Sequence, residues 1–271
     1  MPELPEVETT RRGIAPLIAG AEVVDAVVRD HRLRWPVPGD LAAQVRGRSV
    51  RGVDRRAKYL LVRLDDRTLI IHLGMSGSLQ LVPAGRESGR HDHVDVVFSG
   101  GRVLRYTDPR RFGSFHVTAG DAADHPLLAR LGPEPLEPAF TGDWLHRRSR
   151  GRRQAVKAFI MDAATVVGVG NIYAAEALFR AGIHPARAAG RIGSARYRRL
   201  AEAVRQVLSD AITAGGTTLR DFVDGDGRPG YFRQSLYVYG RAGAPCPACG
   251  RPLRLIRVGQ RSTCYCSRCQ R

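Results

Sequence analysis

The chain has 271 residues, of which 43 are Lys or Arg and 26 are Asp or Glu, so its formal net charge is +17 at pH 7. This excess of cations indicates a polyanionic partner, with nucleic acid the first candidate and an anionic membrane surface the second. A transmembrane protein is excluded, because no apolar run approaches the ~20 residues that a bilayer requires. The basic residues are spread through segments with folded patterns, which favours a shaped binding surface.

The first predicted element is a helix within and after the stretch Met1-Pro-Glu-Leu-Pro-Glu-Val-Glu-Thr9. Leu4, Val7 and Ile14 recur at helical spacing and are expected to face a core. Pro5 suits the first turn of a helix. On this interpretation the residues before Leu4 are only the lead-in to the helix.

Pro2 and Glu3 also have a chemical interpretation. The stretch lacks the features of a secretory signal, and Met1 is expected to be removed before a small second residue. Pro2 then carries a secondary α-amino group, and such groups have a pKa of ~7.7–8, so a useful share is an unprotonated nucleophile toward a sugar anomeric carbon. Attack gives an iminium, which is an electron sink, and Glu3 could supply the proton that opens the sugar ring.

The segment after the first helix alternates with period two and is rich in β-branched residues, as short strands are. Turn signals such as Asp65-Asp66 and Ser99-Gly-Gly101 separate the strands. The candidate strands are Glu22–Arg29, Ser49–Val53, Tyr59–Leu64, Thr68–Leu73, Leu79–Val82, Val94–Ser99, Val103–Tyr106 and Ser114–Thr118. Many short strands at this spacing predict a β-sandwich or a barrel.

A proline-rich segment, Leu131-Gly-Pro-Glu-Pro-Leu-Glu-Pro138, can continue neither a helix nor a central strand and is the predicted linker. The pattern beyond it is mostly helical, and a loop rich in Gly and Asp follows from Gly215 to Gly230. The predicted helices are Thr141–Arg148, Arg153–Asp162, Ile172–Ala181 and Ser194–Ala214. A tail with cysteines closes the chain.

All five cysteines lie in this tail, without the spread of a disulfide framework, so a cytoplasmic protein with a local metal site is expected. Two Cys-x-x-Cys pairs stand at the separation of a zinc ribbon, and closed four-thiolate sites hold structural zinc. The predicted ligands of one structural Zn²⁺ are Cys246, Cys249, Cys266 and Cys269. Cys264 could compete as a ligand, but the Cys-x-x-Cys geometry favours Cys266.

Two further stretches could grip an anion. In Val166-Val-Gly-Val-Gly-Asn-Ile-Tyr-Ala-Ala-Glu176, glycines lead into a helix whose free N–H groups form an anion site, and Asn171 can add a contact. Lys157 lies on the preceding helix, so the pair is a plausible phosphate clamp. The tip Arg257-Val-Gly-Gln-Arg261 presents cations to a DNA groove, or is a solvated hairpin tip. Lys58 opens a strand, although a solvated surface lysine is the alternative there.

Two glycine-bounded turns follow strands: His72-Leu-Gly-Met-Ser-Gly77 and Asp108-Pro-Arg-Arg-Phe-Gly113. Exposed Met75 and Phe112 beside arginine would suit insertion into a base stack, and core packing is the alternative. His91-Asp-His93 could present two imidazoles to a metal, but no third ligand stands at a diagnostic spacing, so a hydrogen-bonded turn is preferred.

Together these motifs resemble those of the formamidopyrimidine-DNA glycosylase family, and the resemblance spans essentially the whole chain. The motifs that carry it are Pro2-Glu-Leu-Pro-Glu-Val-Glu-Thr9, Arg55-Arg-Ala-Lys-Tyr59, His72-Leu-Gly-Met-Ser-Gly77, Tyr106-Thr-Asp-Pro-Arg-Arg-Phe-Gly113, Gly168-Val-Gly-Asn-Ile-Tyr173, Pro229-Gly-Tyr-Phe232, Tyr237-Val-Tyr-Gly240 and the cysteine tail.

The resemblance implies an α+β fold: an N-terminal helix on a β-sandwich, then a helix–two-turn–helix domain with a C-terminal zinc-finger β-hairpin. The expected boundaries are residues 1–130 for the catalytic sandwich, 131–138 for the linker, 139–236 for the DNA-binding domain and 237–271 for the zinc finger. The implied activity is base-excision repair of oxidised purines in double-stranded DNA, by glycosylase and abasic-site lyase chemistry. A monomer needing no diffusible cofactor is expected.

The resemblance also implies residue roles. Pro2 is the Schiff-base nucleophile and Glu3 its acid–base partner. The expected phosphate contacts are Lys58, His72, Asn171, Tyr239 and Arg261, with Lys58 and Arg261 counted among the catalytic groups. The expected wedge in the duplex is Met75, Arg110 and Phe112, and Arg111 and Lys157 are further expected DNA contacts. Thr217–Tyr231 forms a lid over the flipped base, where Arg220 stands in place of the lysine of many relatives.

Three alternatives stay open at this stage. An endonuclease VIII-like enzyme for oxidised pyrimidines shares Pro2, Glu3 and the zinc tail, but the full wedge favours the purine enzyme. A damage-binding protein without catalysis would have no use for Pro2, Glu3 and Lys58. A zinc-ribbon RNA-binding protein fits the charge, but it would usually need a row of stacking aromatics that this sequence does not have.

Overall fold

Residues 2–216 and 236–271 are described in the computed structural model of the chain. They divide into two units: residues 2–129 with 214–216, and residues 130–213 with 236–271. The predicted lid, Thr217–Tyr231 with Arg220, lies outside the described residues, as does most of the loop predicted from Gly215 to Gly230. Within the described ranges, no helix combines the length and apolar character needed to span a bilayer.

The first unit is a β-sandwich with a helix on it. Its elements are α1 (Leu4–Ile18), β1 (Val23–Val28), α2 (Leu41–Val45), β2 (Gly52–Arg56), β3 (Tyr59–Arg63), β4 (Arg67–His72), β5 (Ser78–Pro83), β6 (Asp92–Phe98), β7 (Arg102–Thr107) and β8 (Ser114–Ala119). The strands form two four-stranded antiparallel sheets, in the orders β1-β6-β7-β5 and β2-β3-β4-β8. The sandwich, rather than the barrel, is therefore the fold of this unit.

One apolar core joins the two sheets and α1, because alternate residues of each strand point to the same side. Leu60 and Ile71 of one sheet, Val96 and Phe98 of the other, and Ile14 of the helix all belong to this cluster and are at most 2% exposed. Helix α1 packs against β2, β3 and β5. This packing fixes α1 against the sandwich.

The second unit is helical and ends in a hairpin. Its elements are α3 (Gly142–Ser149), α4 (Val156–Ile160), α5 (Asn171–Arg180), α6 (Ser194–Thr213), β9 (Arg254–Val258) and β10 (Arg261–Tyr265). Helix α6 packs against α3 and α5, and α5 also contacts β10. The last contact brings the hairpin against the helix that follows the glycine turn.

Most predicted elements agree with the structure to within two residues at each end, and two differ by three residues at an end. The helix predicted at Arg153–Asp162 spans only α4, because Ala155 pairs with Ala188 in an antiparallel bridge and Val156 N donates to Arg187 O. The strand predicted at Ser49–Val53 begins later, at Gly52. The backbone N–H of Ser49 donates instead to a carboxylate oxygen of Asp65, at 2.8 Å.

Candidate functional site

The N-terminal pair lies at the positive end of α1. Glu3 is the N-cap residue and is 1% exposed, and Pro2 before it is also buried. Glu3 and Glu6 form a reciprocal capping box, in which the backbone N–H of Glu3 donates to Glu6 Oε2 at 2.8 Å. The pair predicted to do chemistry therefore has a fixed backbone, and its carboxylate is held at the helix N-terminus.

Lys58 and His72 lie on neighbouring strand ends of the same sheet. Lys58 lies in the tight turn between β2 and β3, after Ala57 in the left-handed conformation (φ 56°), and β3 begins at Tyr59. Tyr59 pairs with His72 across β3 and β4, and their ring centroids are 4.8 Å apart. The N–H of Gly74 donates to His72 Nδ1 at 3.0 Å, so Nε2 carries the proton of the neutral ring.

The surroundings of His72 oppose its protonation. Burial, and then the positive charges of Lys58 and Arg34, lower its pKa from 6.5 to about 4. At neutral pH the ring is therefore an uncharged donor through Nε2, beside a charged lysine. A neutral donor of this kind can bind a phosphate oxygen without adding to the local cationic repulsion.

This pKa predicts how folding stability depends on pH. The unfolded chain takes up a proton at His72 near pH 6.5, but the folded chain does so only near pH 4. The stability from neutral His72 is thus fully present above about pH 6.5 and is lost as the pH falls toward 4, by up to about 3 kcal/mol. Urea unfolding of wild type and His72→Gln between pH 7 and 4 measures this. If the free energy of unfolding of His72→Gln fell with pH as steeply as that of wild type, the lowered pKa would not belong to His72.

The two glycine-bounded turns touch each other. A Cβ on Gly74 would collide with the backbone of Phe112 and Gly113, so the two backbones are in direct contact. Phe112 is 45% exposed, and the guanidinium of Arg110 lies 4.9 Å from the centre of its ring. Met75 is half-buried on the facing turn. The exposed ring excludes core packing for Phe112.

Arg111 has a partner within the same unit. Its Nη2 lies 2.6 Å from Asp30 Oδ2, and its backbone φ is 58°, in the left-handed region. This pairing turns the side chain of Arg111 toward Asp30. A DNA contact by Arg111 stays a prediction.

In the second unit, Lys157 is buried rather than solvated, at 1% exposure. Its Nζ donates to Asn171 Oδ1 at 2.6 Å and to Thr263 Oγ1 at 2.7 Å. Asn171 Nδ2 donates to Ser262 O at 3.3 Å. The ammonium thus connects α4, the first residue of α5 and strand β10, and it fixes which end of the Asn171 amide is the acceptor.

Arg261 and Tyr239 are the other two predicted phosphate contacts of the second unit. Arg261 is exposed at the start of β10, after Gly259 and Gln260, which both have positive φ. Tyr239 is half-buried, and its backbone N–H donates to Glu176 Oε1 at 2.8 Å. Glu176 is 2% exposed and also accepts the N–H groups of Tyr237 and Val238.

The four predicted metal ligands converge. The Sγ atoms of Cys246, Cys249, Cys266 and Cys269 all lie within 4.8 Å of one another. Cys249 Sγ to Cys266 Sγ is 3.5 Å and Cys246 Sγ to Cys269 Sγ is 3.9 Å. Tetrahedral thiolates around Zn²⁺ are separated by roughly 3.8 Å, given Zn–S bonds of about 2.3 Å. The set fits one structural zinc ion.

Cys264 and His93 do not belong to a metal site. Cys264 lies outside the four-sulfur set and packs with Val238 and Leu253 in a small apolar cluster. His93 lies on β6, is 1% exposed, and its Nε2 is 2.8 Å from Asp108 O. Across residues 2–216 and 236–271, the four cysteines are the one group of three or more that could hold an ion.

Three segments of the chain match known domains. Residues 1–115 match the formamidopyrimidine-DNA glycosylase N-terminal domain, and residues 131–223 match the formamidopyrimidine-DNA glycosylase H2TH domain. Residues 243–271 match the zinc finger found in FPG and IleRS. The chain belongs to the formamidopyrimidine-DNA glycosylase family.

Full-length relatives and solved structures agree with this membership. The formamidopyrimidine-DNA glycosylases of Alkalilimnicola ehrlichii and Methylococcus capsulatus are 65% and 62% identical to the chain, and each alignment covers 100% of both proteins. The crystal structure of the MutM (Fpg) protein from Thermus thermophilus is 42% identical, with a TM-score of 0.90 over 99% of this chain and 98% of that one. Lactococcus lactis Fpg in complex with N7-benzyl-Fapy-dG containing DNA is 31% identical, with a TM-score of 0.92 over 100% of both chains.

For this family member, sequence reasoning missed the buried carboxylates that support the predicted site. Glu176 stands inside the quoted glycine-turn motif, yet only the structure shows that it holds the backbone of residues 237–239. Asp108 opens a quoted turn, and only the structure shows that its side chain reaches a second turn. For Glu176 the one available signal was a carboxylate among apolar residues, and Asp108 had no such signal.

Proposed function

We propose that this chain is a bifunctional DNA glycosylase and abasic-site lyase of base-excision repair, acting on oxidised purines such as 8-oxoguanine and formamidopyrimidines. The observation that carries the proposal is Pro2 directly before Glu3 at the capped N-terminus of α1, in a chain with this family's three domains. Solved structures of the family include an Fpg complex with Fapy-dG containing DNA. We propose that it works as a monomer on nucleoid DNA in the bacterial cytoplasm.

In the proposed reaction the neutral amine of Pro2 attacks C1′ of the damaged nucleotide. The base leaves with the electron pair of the glycosidic bond, and Glu3 delivers the proton that opens the sugar ring. The proton that Glu3 delivers is the one that it takes from the Pro2 nitrogen after attack, and ring opening then leaves an iminium between Pro2 and C1′. The iminium accepts the electrons of the C2′–H bond as that proton passes to solvent, and the resulting enamine expels the 3′ phosphate by β-elimination. A second elimination, δ-elimination, then releases the 5′ phosphate.

The phosphate contacts fall into two groups, one on each unit. Lys58 supplies a charge and His72 a neutral N–H on the sandwich, and Asn171, Tyr239 and Arg261 are the proposed contacts of the helical unit. Each group would bind phosphates of the DNA backbone near the lesion, and phosphate contacts fix register without reading sequence.

We propose that Lys157 acts through Asn171 rather than by touching DNA. Its ammonium is buried and lies 2.6 Å from Asn171 Oδ1. With that oxygen engaged, the Asn171 Nδ2 group is the end available as a donor. An acceptor end turned toward a phosphate would repel it, so the buried lysine selects the productive orientation of the amide.

Borohydride trapping tests the proposal. The purified protein is incubated with a duplex carrying 8-oxoguanine opposite cytosine, reduced with borohydride, and digested for peptide mass analysis. A covalent adduct on a peptide that begins at Pro2 is expected, because reduction converts the iminium to a stable amine. A duplex with thymine glycol is the comparison substrate. If protein confirmed to lack Met1 bound the duplex tightly but formed no adduct, the lyase chemistry would be refuted. If the protein formed more adduct with the thymine-glycol duplex, its substrates would be oxidised pyrimidines rather than oxidised purines.

A further inference from the structure

Beneath the exposed residues of the two turns lies a carboxylate that the proposed chemistry leaves without a role. Asp108 is 0% exposed and directly follows β7. Its Oδ1 accepts hydrogen bonds from Ser76 Oγ at 2.7 Å and from Arg110 N at 3.3 Å. Its Oδ2 accepts one from Gly113 N at 2.9 Å and lies 3.2 Å from the hydroxyl of Tyr106.

These hydrogen bonds join the turn of residues 72–77 to the turn of residues 108–113. Ser76 Oγ donates to Asp108 and also accepts from the backbone N–H of Arg110 at 3.1 Å, so Ser76 bridges the turns a second time. The Tyr106 hydroxyl also lies 3.2 Å from His72 O. Burial, and then the charge of Asp108, raise the pKa of Tyr106 well above its usual range, so the phenol remains a protonated donor.

The main chain of Asp108 is held from a third direction. His93 Nε2 on β6 lies 2.8 Å from Asp108 O. An aspartate that merely caps its own turn would bond only to residues just after it, as in an Asx-turn. This carboxylate instead also bonds a side chain 32 residues earlier in the chain. Its partners belong to both turns that carry the proposed wedge.

We propose that Asp108 is the positioning residue for opening the duplex: its carboxylate holds the turns of Met75, Arg110 and Phe112 as one preorganised wedge. The inference rests on the proposed function, and it adds to that function the residue whose hydrogen bonds keep the wedge in place. Extruding a base costs a few kcal/mol of stacking and pairing, so the inserting groups must already be in position when the base leaves. Loops that had to rearrange during insertion would lose this advantage.

Asp108→Asn tests the inference, because an amide cannot accept hydrogen bonds at both of its ends. Its NH₂ group would face Ser76 Oγ and the Arg110 N–H in one orientation, or the Gly113 N–H and the Tyr106 hydroxyl in the other. Either orientation removes hydrogen bonds that hold the turns. Single-turnover release of 8-oxoguanine is expected to fall about tenfold or more, whereas cleavage at a preformed abasic site changes by less than about threefold. An abasic site has no base to unstack, so it needs the wedge less.

Asp95→Asn is the matched control. Asp95 is another buried carboxylate of the same unit, at 3% exposure, but it bonds Arg105 and Arg29 rather than the turns. If D95N separates excision from abasic-site cleavage as D108N does, the effect is general destabilisation and the inference is overturned. Equal loss of both activities in D108N overturns it as well.

Ser76→Ala is a milder second variant in case D108N does not fold. It removes the bridge between Asp108 and the Arg110 N–H and keeps the carboxylate. Stopped-flow fluorescence from a 2-aminopurine beside the lesion should show slower duplex opening in S76A, and an unchanged opening rate would overturn the inference. If wild-type protein released no damaged purine, the proposed function would be refuted instead. The rate of the 2-aminopurine fluorescence change could still be compared between wild type and the variants, so the inference about Asp108 would remain testable.

Discussion

Glu3→Gln is expected to lower single-turnover release of 8-oxoguanine at least about a hundredfold, the range of a lost general acid or base. Glutamine has nearly the same shape but cannot deliver a proton, so the sugar ring no longer opens as the base departs. Glu3 is 1% exposed, and no bulk water is expected to replace it there. The measurement is the rate of base release under saturating enzyme, with duplex affinity measured in parallel.

The variant should retain its fold and its affinity for DNA. The amide oxygen of glutamine can still accept the N–H at the start of α1, so the reciprocal capping box with Glu6 persists. Glu8→Gln on the same helix is the matched control, since Glu8 is 8% exposed and pairs with Arg11, Arg12 and Arg55. E8Q is expected to lose some stability, because these arginines lose a charged partner, but it should release the base near the wild-type rate. Undiminished excision by E3Q, or equal losses in E3Q and E8Q, would contradict the role of Glu3.

The sandwich could be predicted because its strands satisfy a local rule. In β3, Leu60 and Val62 alternate with partly exposed neighbours, and each faces the core at 0% exposure. Strand β4 is less regular, since Leu69, Ile70 and Ile71 are all buried, and it pairs with β3 on one side and β8 on the other. Periodicity shows which residues enter a core, but it does not determine which strands pair. Periodicity alone therefore left the sandwich and the barrel open, the family resemblance predicted the sandwich, and the two four-stranded sheets confirm it.

Residue patterns alone could predict the candidate site only where the residues that do the chemistry are adjacent or nearly adjacent in the sequence. Pro2 and Glu3 are adjacent, and each Cys-x-x-Cys pair is a self-contained turn. The buried ammonium of Lys157 could not be predicted in the same way, because lysine is usually exposed and its partner Thr263 is distant in the chain. The contacts that set the orientation of Asn171 and of the two turns are long-range and polar, and they leave no periodic signal.

Removal of the zinc ion is expected to weaken duplex binding about a hundredfold while the sandwich unit remains folded. The metal joins the two cysteine pairs that bracket the hairpin β9–β10, and a small closed thiolate site contributes folding free energy directly. The hairpin carries Arg261 and contributes Thr263 to Lys157 and Ser262 to Asn171. Without zinc these contacts are lost together. Cys249→Ser, zinc analysis and fluorescence anisotropy with undamaged duplex measure the effect.

Cys264→Ala separates the metal from the hairpin's own packing. Cys264 is 6% exposed and packs with Val238 and Leu253 outside the four-sulfur set. Its replacement removes a buried sulfur but no ligand, so C264A should retain one zinc ion per chain and near wild-type affinity, with a loss of stability of about 1 kcal/mol. If C264A loses zinc as C249S does, Cys264 takes part in the metal site after all. If C249S loses zinc but binds DNA normally, the hairpin contributes nothing to the interface, and Arg261 loses its proposed role.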